Sequence, residues 1–312
     1  MAKAREIKRR IRSIENTRQI TKTMEMVAAS KLKRAQDRVV AARPFDEFMR
    51  QVIAQVREGA REEAGEFPLL RDEPGTGRAG ILTVTSNRGL AGAFNANLGR
   101  ETRRLIERLK AEGKTVELHV IGKKGAAMLR YQGHPPDRVI IDLSDRPSYQ
   151  EADEVATPLI DAFTDRRLDE VHVVYSLFKT PVEQRPVAVQ ILPLPTEEEI
   201  EEEGSKGGRP VSQPRRETER EKAGYEPIYE FLPSSGAILH RLLPLFLRYG
   251  VYRAVIESAA SEHGARRTAM KNATDNAQEI IRTLTRSYNR ARQAQITQEI
   301  AELVGGAEAL KG

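Results

Sequence analysis

Apolar positions follow two different regimes along this chain. At both ends they recur every three or four residues over long distances. In the middle they gather into short blocks separated by turn residues. Residues 1–43 contain neither Gly nor Pro, and residues 251–304 contain only Gly264. In the first stretch Ile7, Ile11, Ile14, Met24, Val27, Ala28, Leu32, Ala35 and Val39 fall on one stripe, the signature of an amphipathic helix. Pro44 interrupts and a helical pattern resumes over FDEFMRQVIAQVRE. The spacing therefore predicts one helix over 1–58, kinked near Pro44. In the last stretch Tyr252, Ile256, Ala259, Met270, Ala273, Ala277, Ile281, Leu284, Tyr288 and Ala291 share a stripe. Small residues dominate its middle, which lets two helix axes approach closely, and alternating steps of three and four favour a left-handed coil. That predicts a second long helix over 234–308. Two helices from opposite ends of one chain pair only if the middle loops back.

The middle does read as a looping domain, over 78–195. GILTVTS, VELHVIG and RVIIDL are strand-like blocks, each followed by a helical pattern. Such alternation predicts parallel pairing through crossover helices. EVHVVYSLF and PVAVQILPL follow with only KTPVEQR between them, which predicts an antiparallel hairpin. The fold class is thus α/β plus coiled coil: antiparallel terminal helices forming a shaft, around a mixed, roughly five-stranded α/β domain of Rossmann-like order. Residues 196–224 break every period. Six of the seven residues from 197 to 203 are Glu, and a Gly-, Pro- and charge-rich run follows. This predicts a charged insertion that packs no core.

Charge narrows the partner. The formal net charge is +6, but residues 1–43 hold thirteen Lys or Arg against four Asp or Glu. Such a surface seeks nucleic acid, anionic lipid or an acidic protein ring. No aromatic residue precedes Phe45, so single-strand base stacking has no platform there. The chain has no Cys, which excludes disulfide and thiolate chemistry and fits a cytosolic setting. No apolar run reaches the ~18 residues of a membrane span, and the charged N-terminus does not read as a signal peptide.

Candidate chemistry is sparse. Gly89 and Gly92 follow the first strand and precede a helix, a place where a phosphate can sit on helix-terminal amides. Their spacing matches neither the dinucleotide fingerprint nor the P-loop, so turn chemistry is the simpler reading. His119, His134, His172, His240 and His263 show no metal-ligand spacing, and no nucleophile stands at a telling distance from a base. No catalytic residue, metal site or cofactor is assigned. A basic coiled coil that binds nucleic acid, and an α/β enzyme, stay as alternatives to a mechanical scaffold at this level.

Particular residues then carry a resemblance. IKRRIRSIENTRQITKTMEMVAASKLKRAQ near the start, SNRGLAGAFNANL after the first strand and ATDNAQEIIRTLTRSYNRARQAQITQEIAELVGGAEAL near the end resemble the gamma subunits of F-type ATP synthases. The resemblance spans nearly the whole chain. It departs at Gly264 and Arg267, where the family more often has Ala and Met. It departs also at the 196–224 insertion, which falls where chloroplast relatives carry a redox-regulatory insert but contains no Cys. The resemblance implies a non-catalytic central rotor shaft that couples proton flow to ATP synthesis or hydrolysis at beta-subunit sites and regulates that ATPase activity. The implied partners are the alpha and beta subunits of an alpha3beta3 ring, the epsilon subunit and the membrane ring of c subunits, with no nucleic acid and no small-molecule substrate. The implied place is the cytoplasmic face of the cell membrane, as a peripheral subunit. Residue by residue, it places beta-subunit contacts at Met24, Arg88, Arg292, Gln293 and Thr297.

Overall fold

A computed structural model describes residues 2–59, 68–71, 75–194 and 234–309. The charged insertion at 196–224 lies outside the described residues. The elements are α1 (Ala2–Gly59), a 3-10 turn (Pro68–Leu70), β1 (Arg78–Val84), α2 (Phe94–Ala111), β2 (Thr115–Ile121), α3 (Lys123–Tyr131), β3 (Arg138–Ile140), α4 (Tyr149–Thr164), β4 (Glu170–Phe178), β5 (Gln184–Leu192) and α5 (Ser235–Ala309). Pro44 lies inside α1 and Pro244 inside α5. The chain divides into two compact units. One is 30–265; the other joins 1–29 with 266–312.

In the larger unit a five-stranded sheet runs in the order β3-β2-β1-β4-β5. All neighbours are parallel except β4 and β5, which form the antiparallel hairpin. The central strands β1 and β4 are buried on both faces, which is why their sequences read as near-continuous apolar blocks, whereas β3 at the edge is largely exposed. On one face Ala79, Ile81, Leu118, Val120 and Val174 pack against Phe94, Leu98, Leu105 and Leu129 of α2 and α3. On the other, Leu82, Val84, Val171, Val173 and Leu177 meet Val155, Leu159 and Phe163 of α4. That second core also takes Met49, Ile53 and Val56 of α1 and Leu239, Leu243, Leu247 and Val251 of α5. Helix α4 starts at a capping box: the Glu151 N–H donates to Ser148 Oγ (3.1 Å), and the Ser148 N–H returns the bond to Glu151 Oε2 (2.6 Å).

β3 is shorter than the six-residue block RVIIDL predicts. It is an edge strand, and the carbonyl of Ile141 accepts from the Asn87 side chain at 2.9 Å instead of continuing a ladder. Within the same unit α1 and α5 run antiparallel. Ala42 and Phe45 meet Tyr249, whereas Lys31, Arg34 and Arg38 face Ile256 and His263. Leu32, Val39, Tyr249, Ile256, Ala260 and Phe178 form a third small core there.

The smaller unit is helical. Ala28, Met270, Thr274 and Ala277 are buried, and Ile7, Ile11, Ile14, Ile281, Leu284 and Tyr288 are half-buried. The hydroxyls of Thr21 and Thr274 meet at 2.8 Å. Val27, expected on the apolar stripe, is exposed. Ala28 takes the inward place beside it, since neighbouring residues on a helix point about 100° apart.

Candidate functional site

The turn after β1 is held by its own hydrogen bonds. Ser86 donates its N–H to Asn95 Oδ1 (3.1 Å) and its hydroxyl to the Arg88 carbonyl (2.7 Å). At the start of α3, the N–H of Lys123 is taken by Asn87 Oδ1 and that of Lys124 by the Ser86 carbonyl, both at 3.1 Å. The first amides of α3 are thus bonded within the turn, and at the start of α2 the Phe94 N–H donates to the Ala91 carbonyl at 3.2 Å. Gly122, at φ 100°, lets α3 start hard against β1: a Cβ there would meet the Thr85 carbonyl oxygen at 2.7 Å. Leu90 and Gly92 both adopt positive φ, and the turn leaves Arg88 and Leu90 on the surface.

The histidines within the sheet are packing residues with acidic companions. His119 Nε2 lies 2.9 Å from Glu117 Oε1, and His172 Nε2 lies 3.5 Å from Glu170 Oε2. Glu170 also holds Lys114 at 3.0 Å. Burial raises the Glu170 pKa, but His172 and Lys114 outweigh it and hold the carboxyl below its ordinary range. The register sets His119 beside Leu82 and His172 beside Ile81, on opposite faces of the sheet, so they cannot share an ion. Among the described residues no three His, Asp or Glu side chains cluster to hold a metal.

The dense polar chemistry lies where α5 meets the end of β4. Beyond Thr83 the β1 ladder stops, while β4 runs on through Tyr175, Ser176, Leu177 and Phe178. The helix supplies the missing partners. The Ser176 N–H donates to Ser258 Oγ (3.0 Å), Ser261 Oγ donates to the Ser176 carbonyl (3.0 Å), and the Phe178 N–H donates to Glu257 Oε2 (3.3 Å). Three helix side chains thus stand in for a strand and bolt α5 to the sheet edge, satisfying backbone groups that would otherwise be buried unpaired.

A charged tie binds α5 to α1 beside this bolt. Arg253 donates to Asp46 Oδ2 at 2.7 Å and to the Tyr175 hydroxyl at 3.5 Å, with Glu257 at 4.0 Å. Desolvation works to lower the Arg253 pKa, but Tyr175, Asp46 and Glu257 together hold it above its ordinary value. Burial pushes the Glu257 carboxyl up, against Arg253 and the Phe178 amide. Tyr249 donates to the Ala42 carbonyl (2.8 Å) and stacks edge-on with Phe45 at 4.5 Å; burial pushes its phenol up to about 12. At Gly264, a Cβ would meet the Pro181 carbonyl and Gln184 Nε2, both at 3.1 Å. The departure from Ala there lets the β4–β5 turn lie against the helix.

The five residues singled out from sequence are spread over both units. Met24 is half-buried, and Arg292, Gln293 and Thr297 are exposed in the smaller unit. Thr297 Oγ1 donates to the Gln293 carbonyl at 3.0 Å, so these two share a helix face. Arg88 is exposed in the larger unit. Sequence reading missed a second feature of the same helix end: Ile296, Ile300, Leu303 and Val304 are all exposed, Leu303 to 74%. Their spacing of three and four was visible; their lack of cover was not.

Buried fastenings join α5 to α1 and β4, the construction of a structural subunit. Similarity to known proteins gives the class. The ATP synthase family model matches residues 3–310. The ATP synthase gamma chain of Gemmatimonas aurantiaca is 46% identical over 100% of both chains, and that of Acidothermus cellulolyticus is 44% identical over 99% of this chain and 97% of the other. The chain belongs to the ATP synthase gamma-chain family. Its fold is also that of a rotor chain of the Euglena gracilis mitochondrial ATP synthase (TM-score 0.60, 20% identity, 95% of this chain and 99% of that one). A central-stalk chain of the Tetrahymena thermophila enzyme shares it too (TM-score 0.57, 22% identity, 81% and 99%).

Proposed function

We infer that this chain is the central rotor shaft of an F-type ATP synthase and does no catalysis itself. Full-length similarity to gamma chains carries the reading. The joint between α5, α1 and β4 supplies the physics: a shaft transmits work only if its helices cannot slip against the domain that is gripped. Bolting through backbone groups resists slip better than apolar contact, because hydrogen bonds are directional and apolar burial is not. Proton flow through a membrane ring of c subunits turns the shaft. Its changing face then biases the beta-subunit sites of an alpha3beta3 ring toward different affinities for ADP, phosphate and ATP, as any partner shifts states only by binding them unequally. The epsilon subunit joins the shaft near the ring.

In this reading Arg292, Gln293 and Thr297 grip the beta subunit from one helix end, and Met24 and Arg88 contact it elsewhere. Their exposure, or half-exposure at Met24, leaves each side chain accessible to a partner. The bare stripe of Ile296, Ile300, Leu303 and Val304 suits an apolar sleeve. No described helix is long and apolar enough to cross a membrane. In this reading the shaft is a peripheral subunit, held at the cytoplasmic face of the cell membrane through the complex. Co-purification of the tagged chain with an alpha/beta hexamer, followed by proton-driven ATP synthesis in reconstituted vesicles, tests the assignment. A chain that assembles with neither the hexamer nor the c ring would overturn it.

A further inference from the structure

A cavity of about 630 Å³ opens in the larger unit between α1, α5 and the loop that precedes α4. That volume lies in the range of small-molecule sites. Its walls carry Lys31, Arg34 and Arg38 from α1 and Arg146 from the loop, with Asp37 and Asp145 as the acids. Both acids are already engaged. Asp145 forms a close ion pair with Lys31, and Asp37 holds Lys33 at 2.8 Å. The Lys31 contact does most to keep the Asp145 carboxyl below its ordinary range. Arg34 and Arg38 have only neutral partners among the described residues. Arg34 reaches Ser30 one turn back, and Arg38 reaches the Pro147 carbonyl at 3.4 Å. Among the described residues no carboxylate pairs with Arg34, Arg38 or Arg146.

Three guanidiniums thus rim one cavity whose two carboxylates are paired with lysines instead, while Ala35, Pro147, Ile256 and Ala259 give it apolar lining. Arginine forks match phosphate oxygens two at a time, and an apolar lining suits a flat organic body. We propose that this cavity binds an oligophosphate anion, as a site for a small effector distinct from the surfaces that grip the beta subunit. The acidic side chain of a protein segment is the competing occupant. A cavity of this size, walled by two helices and a loop, suits a compact ligand more than an extended chain. Because α1, α5 and the loop all contribute, an occupant cross-links them and raises the stability of the unit by mass action.

The experiment is calorimetric titration of the purified full chain at constant ionic strength with pyrophosphate, ATP, adenosine and a glutamate-rich peptide. Melting curves are recorded alongside. Saturable one-to-one binding of pyrophosphate and ATP with a rise in Tm is expected. Loss of about tenfold or more in affinity is expected in R34Q/R38Q/R146Q, the size of one or two charge-assisted bonds. The charge-matched control R9Q/R10Q/R12Q should keep full affinity. R146Q alone, on an exposed loop, serves if the triple variant folds poorly, and should weaken binding in the same direction. ATP tighter than pyrophosphate shows the apolar lining taking the base; equal affinities show the phosphates alone recognised. The site is overturned if pyrophosphate does not saturate. It is overturned equally if the control loses as much affinity as the cavity variant, or if adenosine or the acidic peptide binds more tightly than pyrophosphate.

Discussion

The two units of this chain are built on opposite terms with solvent. In residues 30–265, Phe163, Leu82, Leu98, Leu159, Leu239 and Leu243 are wholly buried, and even the backbone beyond the β1 ladder finds partners on α5. In 1–29 with 266–309, the buried positions are small or few, and Ile20, Met26, Ile296, Ile300 and Leu303 face water. The larger unit closes a deep core, although Phe48, Leu90 and Val182 stay exposed on it. The other leaves apolar surface that only a partner can cover, which is what a shaft turning inside other subunits requires.

The largest expected difference comes from truncating each core. Phe163→Ala should cost the isolated chain ~3–5 kcal/mol, the usual range for a fully buried ring. Leu284→Ala, half-buried in the other unit, should cost about 1–2 kcal/mol. Chemical denaturation measures both; equal losses would erase the contrast. Next comes the charged tie. Arg253 is 23% exposed at the side chain, and Arg253→Met strands two carboxylates, so about 3 kcal/mol should be lost. Glu257→Gln should return part of that loss, because burial already favours the neutral acid. A cycle with no coupling between the two would show that the tie contributes nothing.

The exposed helix end should behave in the reverse way. Gln293→Ala with Thr297→Ala should change the stability of the free chain by no more than ~0.5 kcal/mol, as surface changes do. The same pair should lower proton-driven ATP synthesis in reconstituted vesicles. Normal synthesis with normal assembly would remove these residues from the grip. The smallest effect is acid sensitivity. Desolvation raises the pKa values of Glu151 and Asp169, but hydrogen bonds from Ser148 and Ser144, and from Thr76 and Arg78, leave both below their ordinary 4.5 and 3.8. A depressed folded pKa stabilises above the unfolded value and is lost as pH falls. The larger unit should therefore weaken as pH drops through and below that window, and Glu151→Gln should flatten this acid limb in pH-dependent melting. An unchanged limb would show that the capping box does not set it.

Much of this architecture was legible in the residues alone. Long Gly- and Pro-free stretches with three-four periods can only be long helices, and apolar blocks alternating with helical ones can only pair in parallel through crossovers. Those patterns are local, so sequence determined the two helices, the mixed sheet with its β4–β5 hairpin, and the family resemblance. What only the tertiary structure decided are meetings between distant positions: Ser258 and Ser261 with Ser176, Arg253 with Asp46, Arg34 and Arg38 with the loop at Arg146. No period encodes them, because a serine on a helix reads the same whether it faces water or caps a strand. The exposure of Ile296, Ile300 and Leu303 is likewise invisible to a pattern that assumes every apolar stripe is covered. Periodicity reports which side of an element is apolar, and the packed fold decides what that side touches.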